Sequence, residues 1–305
     1  MKIVRTVAEL REHVRAVRRA GGTVGLVPTM GALHRGHVSL IAASAQRTDS
    51  TVVSLFVNPR QFGDLGDLAG YPRTEEADAA KAAAAGAHVL FAPGVDEVYP
   101  DGYTAEVRLS GPLTETLEGA HRGPEHFHGV TTVVTKLFNM VGPDVAFFGA
   151  KDAQQVLVVR RLVRDLNLPV EIVVGETIRE DDGLALSSRN VRLSPTDRAQ
   201  ALAIPRALEA ATAELAAGET DAEVLTATVR RVLSRAALLP EYVAVVDPDT
   251  LQPRTTVDVP SLLALAVPVG PVRLIDNVVL VPAPQPALAG APAGAAAPDA
   301  TPEEG

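Results

Sequence analysis

The chain has 305 residues, a formal net charge of −9, and 47% hydrophobic against 21% charged residues, a balance that suits one large or two moderate soluble domains. The acidic charge argues against a nucleic-acid partner, and the absence of cysteine excludes disulfides and thiolate chemistry. Because no apolar run reaches the roughly 18 residues of a membrane span and no secretory signal begins the chain, we expect a cytoplasmic protein with no membrane partner.

In the first part of the chain, short β-branched apolar runs alternate with longer helical stretches. The pattern predicts strands at residues 23–27, 51–57, 88–91, 144–148 and 170–174, and helices at 36–47, 74–85, 130–141 and 152–166. Continuous apolar strands separated by helices indicate a parallel sheet covered on both faces. Right-handed crossovers would make it a doubly wound sheet. We therefore expect an α/β domain over residues 1–186.

The pattern changes after residue 186. It predicts helices at residues 195–217 and 221–235, followed by strands at 241–246, 262–267 and 272–280. Ser194 and Pro195 are a typical N-cap and first helical residue for the earlier of these helices. We expect a second, smaller α+β domain over residues 187–282. Residues 283–305 are rich in Ala and Pro and lack apolar periodicity, which predicts a disordered tail.

The first chemical motif is Pro-Thr-Met-Gly-Ala-Leu-His-Arg-Gly-His at residues 28–37, between a predicted strand and a predicted helix. Ligands of open parallel sheets bind beyond the carboxyl ends of the strands. Gly31 and Gly36 allow close backbone approach, and a helix that begins near Gly36 directs N–H groups at a phosphate. His34 and His37, three residues apart, can both donate to phosphate oxygens, more strongly when protonated. The motif differs from a Walker A loop, since no Gly-Lys-Ser/Thr is present.

The histidines also allow other interpretations. One ring could pack against the helix while the other is solvated, which is the ordinary fate of a single histidine. A metal site through His34, His37, His126 and His128 is the second alternative, although the sequence offers no cysteine and no carboxylate partner at a fixed spacing. The position of the pair at the end of a strand favours phosphate binding.

Further polar segments follow other strands. Lys151 and Asp152 come directly after the strand at 144–148, where a lysine can bind a polyphosphate and an aspartate can cap a helix or reach Mg²⁺. Ser187-Ser-Arg-Asn at residues 187–190 lies at the junction of the domains and offers hydroxyl, guanidinium and amide groups to phosphate. Residues 56–62 present Asn58 and Gln61, and residues 122–129 place basic and imidazole groups ahead of a predicted helix.

Together these segments resemble the pantothenate synthetase (pantoate–β-alanine ligase) family of the HIGH-motif nucleotidyltransferase superfamily. The resemblance covers roughly residues 1–282, and the segments at 28–37 and 187–190 carry most of its specificity. Two departures are visible: Arg122-Gly-Pro-Glu-His126 is one residue longer than the family's Arg-Pro-Gly-His, and Arg35 stands where an acidic residue is common. The resemblance implies a Rossmann-like domain, a smaller lid domain and a homodimer.

The resemblance also implies the reaction, in which ATP, (R)-pantoate and β-alanine give pantothenate, AMP and pyrophosphate. The catalytic residues implied are His37, His34, Lys151, Ser188 and Arg189. The implied ATP site consists of Met30, Gly31, Ala32, Leu33, His34, Arg35, Gly36, His37, Gly149, Ala150, Lys151, Asp152, Ile178, Leu186, Ser187, Ser188 and Arg189. Gln61 would contact both pantoate and β-alanine, Gln155 would hold pantoate, and Asn58, Tyr71 and His126 would lie near the substrates. Mg²⁺ would bind through the ATP phosphates, with Asp152 as a candidate ligand. Two alternatives remain: a nucleotidyltransferase acting on a phosphate ester, and a nucleotide-binding protein without activity.

Overall fold

The computed structural model describes residues 1–63 and 65–283. The strands are β1 Lys2–Val4, β2 Val24–Thr29, β3 Ser50–Leu55, β4 Val89–Phe91, β5 Val145–Gly149, β6 Glu171–Gly175, β7 Tyr242–Val246, β8 Ser261–Val269 and β9 Val272–Leu280. The α-helices are α1 Val7–Arg19, α2 Arg35–Arg47, α3 Leu65–Ala69, α4 Glu75–Ala84, α5 Val95–Val98, α6 Pro112–Glu115, α7 Glu118–Arg122, α8 Pro124–Val141, α9 Ala153–Asp165, α10 Pro195–Ala201, α11 Ala203–Ala216 and α12 Ala222–Arg235. Within these described residues, short 3₁₀ turns lie at Pro59–Gln61, Ala150–Asp152 and Asn190–Arg192.

The first six strands form one parallel sheet in the order β1-β4-β3-β2-β5-β6. Alternate side chains of its central strands face opposite cores. Leu26 and Val52 pack with α1, α8 and α9, whereas Val27 and Val53 pack with α2 and α4. Helices therefore cover both faces, and the predicted doubly wound α/β fold is confirmed.

Helix α2 lies unusually close to the strand that precedes it. A Cβ atom on Gly25 of β2 would fall on Ser44 Oγ and within 2.7 Å of Thr48 Oγ1, both near the end of α2. Ser44 and Thr48 are buried, and the Ser44 hydroxyl bonds that of Thr51 at 2.9 Å. Only a glycine at position 25 leaves room for this approach.

Beyond β6 the chain builds a smaller α+β unit. Strands β7, β8 and β9 form an antiparallel sheet, and apolar faces of α11 and α12 pack with it in a separate core. The parallel sheet ends at Gly175 and the first helix of this unit begins at Pro195. We propose a domain boundary near residue 186, between these limits. Of the predicted tail at 283–305, residues 284–305 lie outside the described residues.

Two predicted helix bounds are wrong. The single helix expected at residues 195–217 is two helices, α10 and α11, separated at Leu202. Pro205 has no N–H to donate to the carbonyl of Ala201, which interrupts the helical ladder there. The helix expected at 130–141 already begins at Pro124, so His126 and His128 lie on α8 rather than ahead of it.

A buried polar cluster joins the two units. Glu118 of α7 accepts two hydrogen bonds from Arg273 of β9, at 2.7 and 2.8 Å, and one from the hydroxyl of Tyr242 of β7 at 2.9 Å. Arg122 donates to the same carboxylate at 2.9 Å. Burial alone would raise the pKa of Glu118, but the hydrogen bonds and charge of Arg273, followed by those of Arg122, lower that pKa to about 2. The carboxylate is therefore ionised and fully paired. None of the helices in the described part of the chain has the length and apolar character of a membrane span.

Candidate functional site

A cleft opens at the carboxyl ends of β2 and β5, where the order of the parallel strands reverses direction. Its volume is about 1280 Å³ with the open solvent at its mouth included, ample for a nucleotide and a small acid. Most of the side chains that the sequence nominated line this cleft. They are Met30, His34, Gly36, His37, Asn58, Gln61, Tyr71, Gly149, Lys151, Asp152, Gln155, Ile178, Leu186, Ser187, Ser188 and Arg189.

The loop between β2 and α2 orients the two histidines. Gly31 and Ala32 both take left-handed backbone conformations, with φ of 89° and 50°. His34 is the N-cap of α2, and its Nδ1 accepts the N–H of Gly36 at 3.2 Å. His37 Nδ1 in turn accepts the N–H of His34 at 3.3 Å, so the two rings form a reciprocal capping box. The ring centroids are 4.0 Å apart.

Both rings are neutral at physiological pH. Burial and the positive charge of Lys151 lower the pKa of His34 to about 4. Burial, followed by the neighbouring His34 and Lys151, lowers the pKa of His37 to about 3. Since Nδ1 of each ring accepts a backbone N–H, the single ring proton lies on Nε2. Each histidine is thus a neutral Nε2–H donor, whereas the sequence had pointed to stronger donation from protonated rings.

The loop after β5 supplies a lysine to the cleft. Lys151 lies in the turn Ala150–Asp152, with its Nζ 3.8 Å from Asp152 Oδ1. The Asn277 side chain of β9 donates to the carbonyls of Ala150 and Lys151 at 3.1 and 2.9 Å. The smaller unit therefore holds the backbone that carries Lys151. The side chain of Asp152 is half exposed and available to solvent or a cation.

The loop at residues 186–190 contacts the loop between β2 and α2 (residues 30–34, the histidine loop) from the other side. Ser188 Oγ donates to the carbonyl of Ala32 at 3.2 Å, and Leu186 N–H donates to the carbonyl of Ile178 at 3.0 Å. The guanidinium of Arg189 lies 5.9 Å from the ring centroid of Tyr71. A hydroxyl and a guanidinium thus face the same cleft as the two histidines and Lys151.

The turn after β3 holds Gln61 through Asn58. Asn58 Nδ2 donates to Gln61 Oε1 and to the carbonyl of Gly129, both at 3.1 Å. The Tyr99 hydroxyl donates to Asn58 Oδ1 at 2.9 Å. Because its oxygen is held by Asn58, Gln61 turns its amide N–H groups towards Met30 and the cleft. Gln61 therefore offers donors to a ligand.

His126 lies in a side chamber that continues from the cleft. Its Nδ1 bonds the carbonyl of Gln61 at 2.8 Å, so the ring donates there, and burial followed by the charge of Arg122 lowers its pKa to about 4. The chamber shares Met30, Gln61, Lys151, Asp152, Gln155 and Arg189 with the cleft and adds residues of α7 and the small sheet, Arg122 and Tyr242 among them. His128 contacts Glu125 instead, with its Nδ1 3.4 Å from Glu125 Oε2.

Some nominated residues do not line the cleft with their side chains. Leu33 is buried in the core, and Arg35 lies at the surface, 3.4 Å from Asp181. Gly31, Ala32 and Ala150 belong to the loops themselves. Within residues 1–63 and 65–283, no group of three or more His, Asp or Glu side chains is arranged as a metal site.

Four residues that support the cleft escaped the sequence reasoning. Asp78 and Lys81 of α4 bond the histidine loop, Tyr99 bonds Asn58, and Asn277 bonds the loop of Lys151. A signal for one of them was present, because Asp78 is one helical turn from the buried Ala82 and so shares the inward face of α4. A buried carboxylate on an alanine-rich face indicates a specific partner.

The chain is similar to known proteins in sequence and in fold. A family model described as pantoate-beta-alanine ligase matches residues 2–279. The pantothenate synthetase of Moorella thermoacetica is 52% identical over 285 residues, covering 92% of this chain and 99% of that protein. The crystal structure of the Thermus thermophilus pantothenate synthetase superposes with a TM-score of 0.85 at 46% identity, covering 92% of this chain and 100% of that one.

A third relative has a crystal structure with bound ligands. The pantoate-beta-alanine ligase of Francisella tularensis, 32% identical with a TM-score of 0.76 and covering 92% of this chain and 97% of that one, is described as complexed with beta-gamma ATP and beta-alanine. Both the sequence identity and the matched length far exceed what a shared fold alone would give. The chain belongs to the pantoate–β-alanine ligase family.

Proposed function

We propose that this chain catalyses the ATP-dependent condensation of (R)-pantoate with β-alanine to pantothenate, through a pantoyl adenylate. The observation that carries the proposal is the convergence of two neutral Nε2–H donors, Lys151 and the 186–190 loop on one cleft that Gln61 and Gln155 also line. Phosphate ligands are surrounded by such donors, and an amide pair beside them suits a small hydroxy acid.

In the first step, a carboxylate oxygen of pantoate attacks the α-phosphorus of ATP. The bond from that phosphorus to the bridging oxygen breaks, and pyrophosphate leaves with the electron pair. Negative charge grows on the phosphoryl oxygens, and His34, His37, Lys151, Ser188 and Arg189 are the donors proposed to stabilise it. Neutral histidines suit this role because a neutral imidazole N–H donates a hydrogen bond but is too weakly acidic to transfer its proton during the reaction.

In the second step, the amine of β-alanine attacks the carbonyl carbon of the adenylate. The carbon–oxygen bond to the phosphate breaks, AMP leaves, and the nitrogen releases a proton as the amide forms. Gln61 is proposed to contact both acids and Gln155 to hold pantoate, with Asn58, Tyr71 and His126 around them. The intermediate hydrolyses readily, so the small domain must keep water from the cleft until the amine arrives.

The remaining parts of the ATP site are proposals from the same family resemblance. The residues at 30–37, 149–152, 178 and 186–189 would surround the nucleotide. One exposed carboxylate, Asp152, stands beside Lys151, and this sparse donor set fits a Mg²⁺ ion held mainly by phosphates, which would neutralise their charge. A cytoplasmic homodimer is the expected state of the enzyme, and analytical ultracentrifugation of the purified chain tests the dimer.

The test of the reaction is pantoate-dependent exchange of labelled pyrophosphate into ATP. Exchange without β-alanine, and AMP release only when both acids are present, are expected. A matched pair of variants tests the role of His37. His37→Gln places an amide N–H near the position of Nε2, whereas His37→Asn reaches only as far as Nδ1. We expect His37→Asn to lose about 10²–10³ in exchange rate, as for other lost transition-state donors, and His37→Gln to lose less. Exchange that is independent of pantoate in the wild type would refute the reaction.

A further inference from the structure

The histidine loop contains a backbone conformation that needs outside support. Gly31 and Ala32 are consecutive left-handed residues, and Ala32 carries a Cβ that makes this region unfavourable. The loop also lies between a strand end and a helix start, where backbone N–H groups have no partner in regular secondary structure. Something beyond the loop must therefore fix the direction from which His34 and His37 emerge.

Asp78 provides that support from α4. Its carboxylate is fully buried, and its two oxygens accept the N–H groups of Ala32 at 2.8 Å and of Leu33 at 2.7 Å. Thr74 Oγ1 donates to the same carboxylate at 3.1 Å, and Lys81 Nζ donates to the carbonyl of Leu33 at 2.7 Å. Helix α4 thus bonds the loop through two consecutive N–H groups and one carbonyl.

The contacts pass directly to the histidines. Leu33, whose N–H is held by Asp78, immediately precedes His34, and the N–H of His34 is taken by His37. Asp78 itself is absent from the lining of the cleft, so its hydrogen bonds act on a ligand through the loop rather than by contact. A displaced Leu33 would turn both Nε2–H donors, because the ring of His37 accepts the N–H of His34 and the ring of His34 accepts the N–H of Gly36.

We propose that Asp78 is a positioning residue of the ATP site, whose carboxylate fixes the left-handed turn at Gly31–Ala32 and thereby aims His34 and His37 at the phosphates. The proposal rests on the proposed function only in taking the ligand of this loop to be ATP. It assigns to α4 a role in nucleotide affinity and none in contact with pantoate or β-alanine.

The perturbation is Asp78→Asn, which keeps the size of the side chain. An amide has one acceptor oxygen and presents N–H groups on its other side, so at least one of the two loop N–H groups loses its partner. Glu75→Gln is the matched control, because it removes a carboxylate from the same helix at the surface, where Glu75 pairs with Arg5. Thr74→Val is a milder second variant that removes only the third hydrogen bond to Asp78, in case Asp78→Asn folds poorly.

The measurement is calorimetric titration with ATP alone, together with the KM values for ATP and pantoate in the exchange assay. Losing one hydrogen bond to a charged acceptor weakens binding by about 10- to 100-fold. We expect that loss of ATP affinity in Asp78→Asn, a loss of about twofold to fivefold in Thr74→Val, wild-type affinity in Glu75→Gln, and an unchanged KM for pantoate throughout.

The proposal is overturned if Asp78→Asn binds ATP as the wild type does, or if the KM values for ATP and pantoate rise together, which would indicate general loosening. Should Asp78→Asn not fold, wild-type ATP affinity in Thr74→Val overturns it instead. The titrations measure ATP binding without pantoate, so they test the role of Asp78 separately from the reaction. If the wild type binds ATP but shows no pantoate-dependent exchange, the proposed reaction is refuted, and the titrations alone decide the role of Asp78. A wild type that does not bind ATP refutes both.

Discussion

The acid stability of this fold should depend on His37. In the folded protein, burial and the neighbouring His34 and Lys151 lower its pKa to about 3, whereas an unfolded histidine titrates near 6.5. Between these values the unfolded chain binds a proton that the folded chain refuses. The free energy of unfolding therefore falls as the pH falls below about 6.5. Above that pH the ring is neutral in both the folded and the unfolded chain, so His37 causes no loss of stability there.

The magnitude follows from the two pKa values. Between pH 7 and pH 5, protonation of the ring stabilises the unfolded state by the free energy of roughly 1.4 pKa units. The folded ring stays neutral over this interval and gains nothing. At about 1.36 kcal/mol per unit, His37 costs the fold about 2 kcal/mol of stability over this interval. In His37→Asn the amide oxygen can still accept the N–H of His34, but the titrating group is gone. The variant should therefore lose about 2 kcal/mol less than the wild type on acidification.

The assay is urea unfolding of both proteins at pH 7 and pH 5 in buffers of equal ionic strength. Other titrating groups, His34 and His126 included, are common to both proteins and cancel in the difference between them. An equal loss of stability in wild type and variant would show that His37 is not held neutral in the folded state. The neutral Nε2–H donor assigned to His37 would then be wrong as well.

Three further substitutions test the supports of the cleft. Tyr99→Phe removes the hydroxyl bonded to Asn58 and should raise the KM for pantoate about threefold to tenfold with the KM for ATP unchanged, and steady-state kinetics with equal changes in both would contradict this. Asn277→Ala frees the backbone that carries Lys151 and should lower the rate of pyrophosphate exchange several-fold; an unchanged rate would show that the contact is dispensable. Glu118→Gln leaves the partly buried guanidinium groups of Arg122 and Arg273 without their charge partner and should lower the free energy of unfolding by about 3 kcal/mol in urea unfolding. A near-wild-type value would show that the cluster contributes little to stability.

The parallel sheet could be predicted from the sequence because its evidence is local. Each central strand is a short β-branched run, and both faces are buried, so the hydrophobic pattern is continuous. The residues at the strand ends followed directly, since carboxyl ends of parallel strands meet at one edge. For this reason the sequence predicts that His37 and Lys151 lie near each other.

The supports of the site depend on contacts between distant residues, which local patterns do not encode. Asp78 and Leu33, which are hydrogen-bonded, lie 45 positions apart in the sequence, and Asn277 and Lys151 lie 126 positions apart. The ionisation state of His37 was likewise out of reach, because it depends on burial in the assembled cleft. The division of α10 from α11 is different, since Pro205 and its missing N–H are a local signal for an interrupted helix.

The proposed nucleotide site is connected through α2 to Gly25, a residue that lines no part of the cleft. The absence of a side chain there sets how deeply the far end of α2 settles onto the sheet, and the near end of the same rigid helix begins with the histidine pair. A methyl group at position 25 would push the carboxyl end of α2 away from the sheet and tilt the helix. Its amino end would then move as well, and His34 and His37 would point in the wrong direction. Substitutions in this family that spare every ligand contact can therefore still behave as active-site defects.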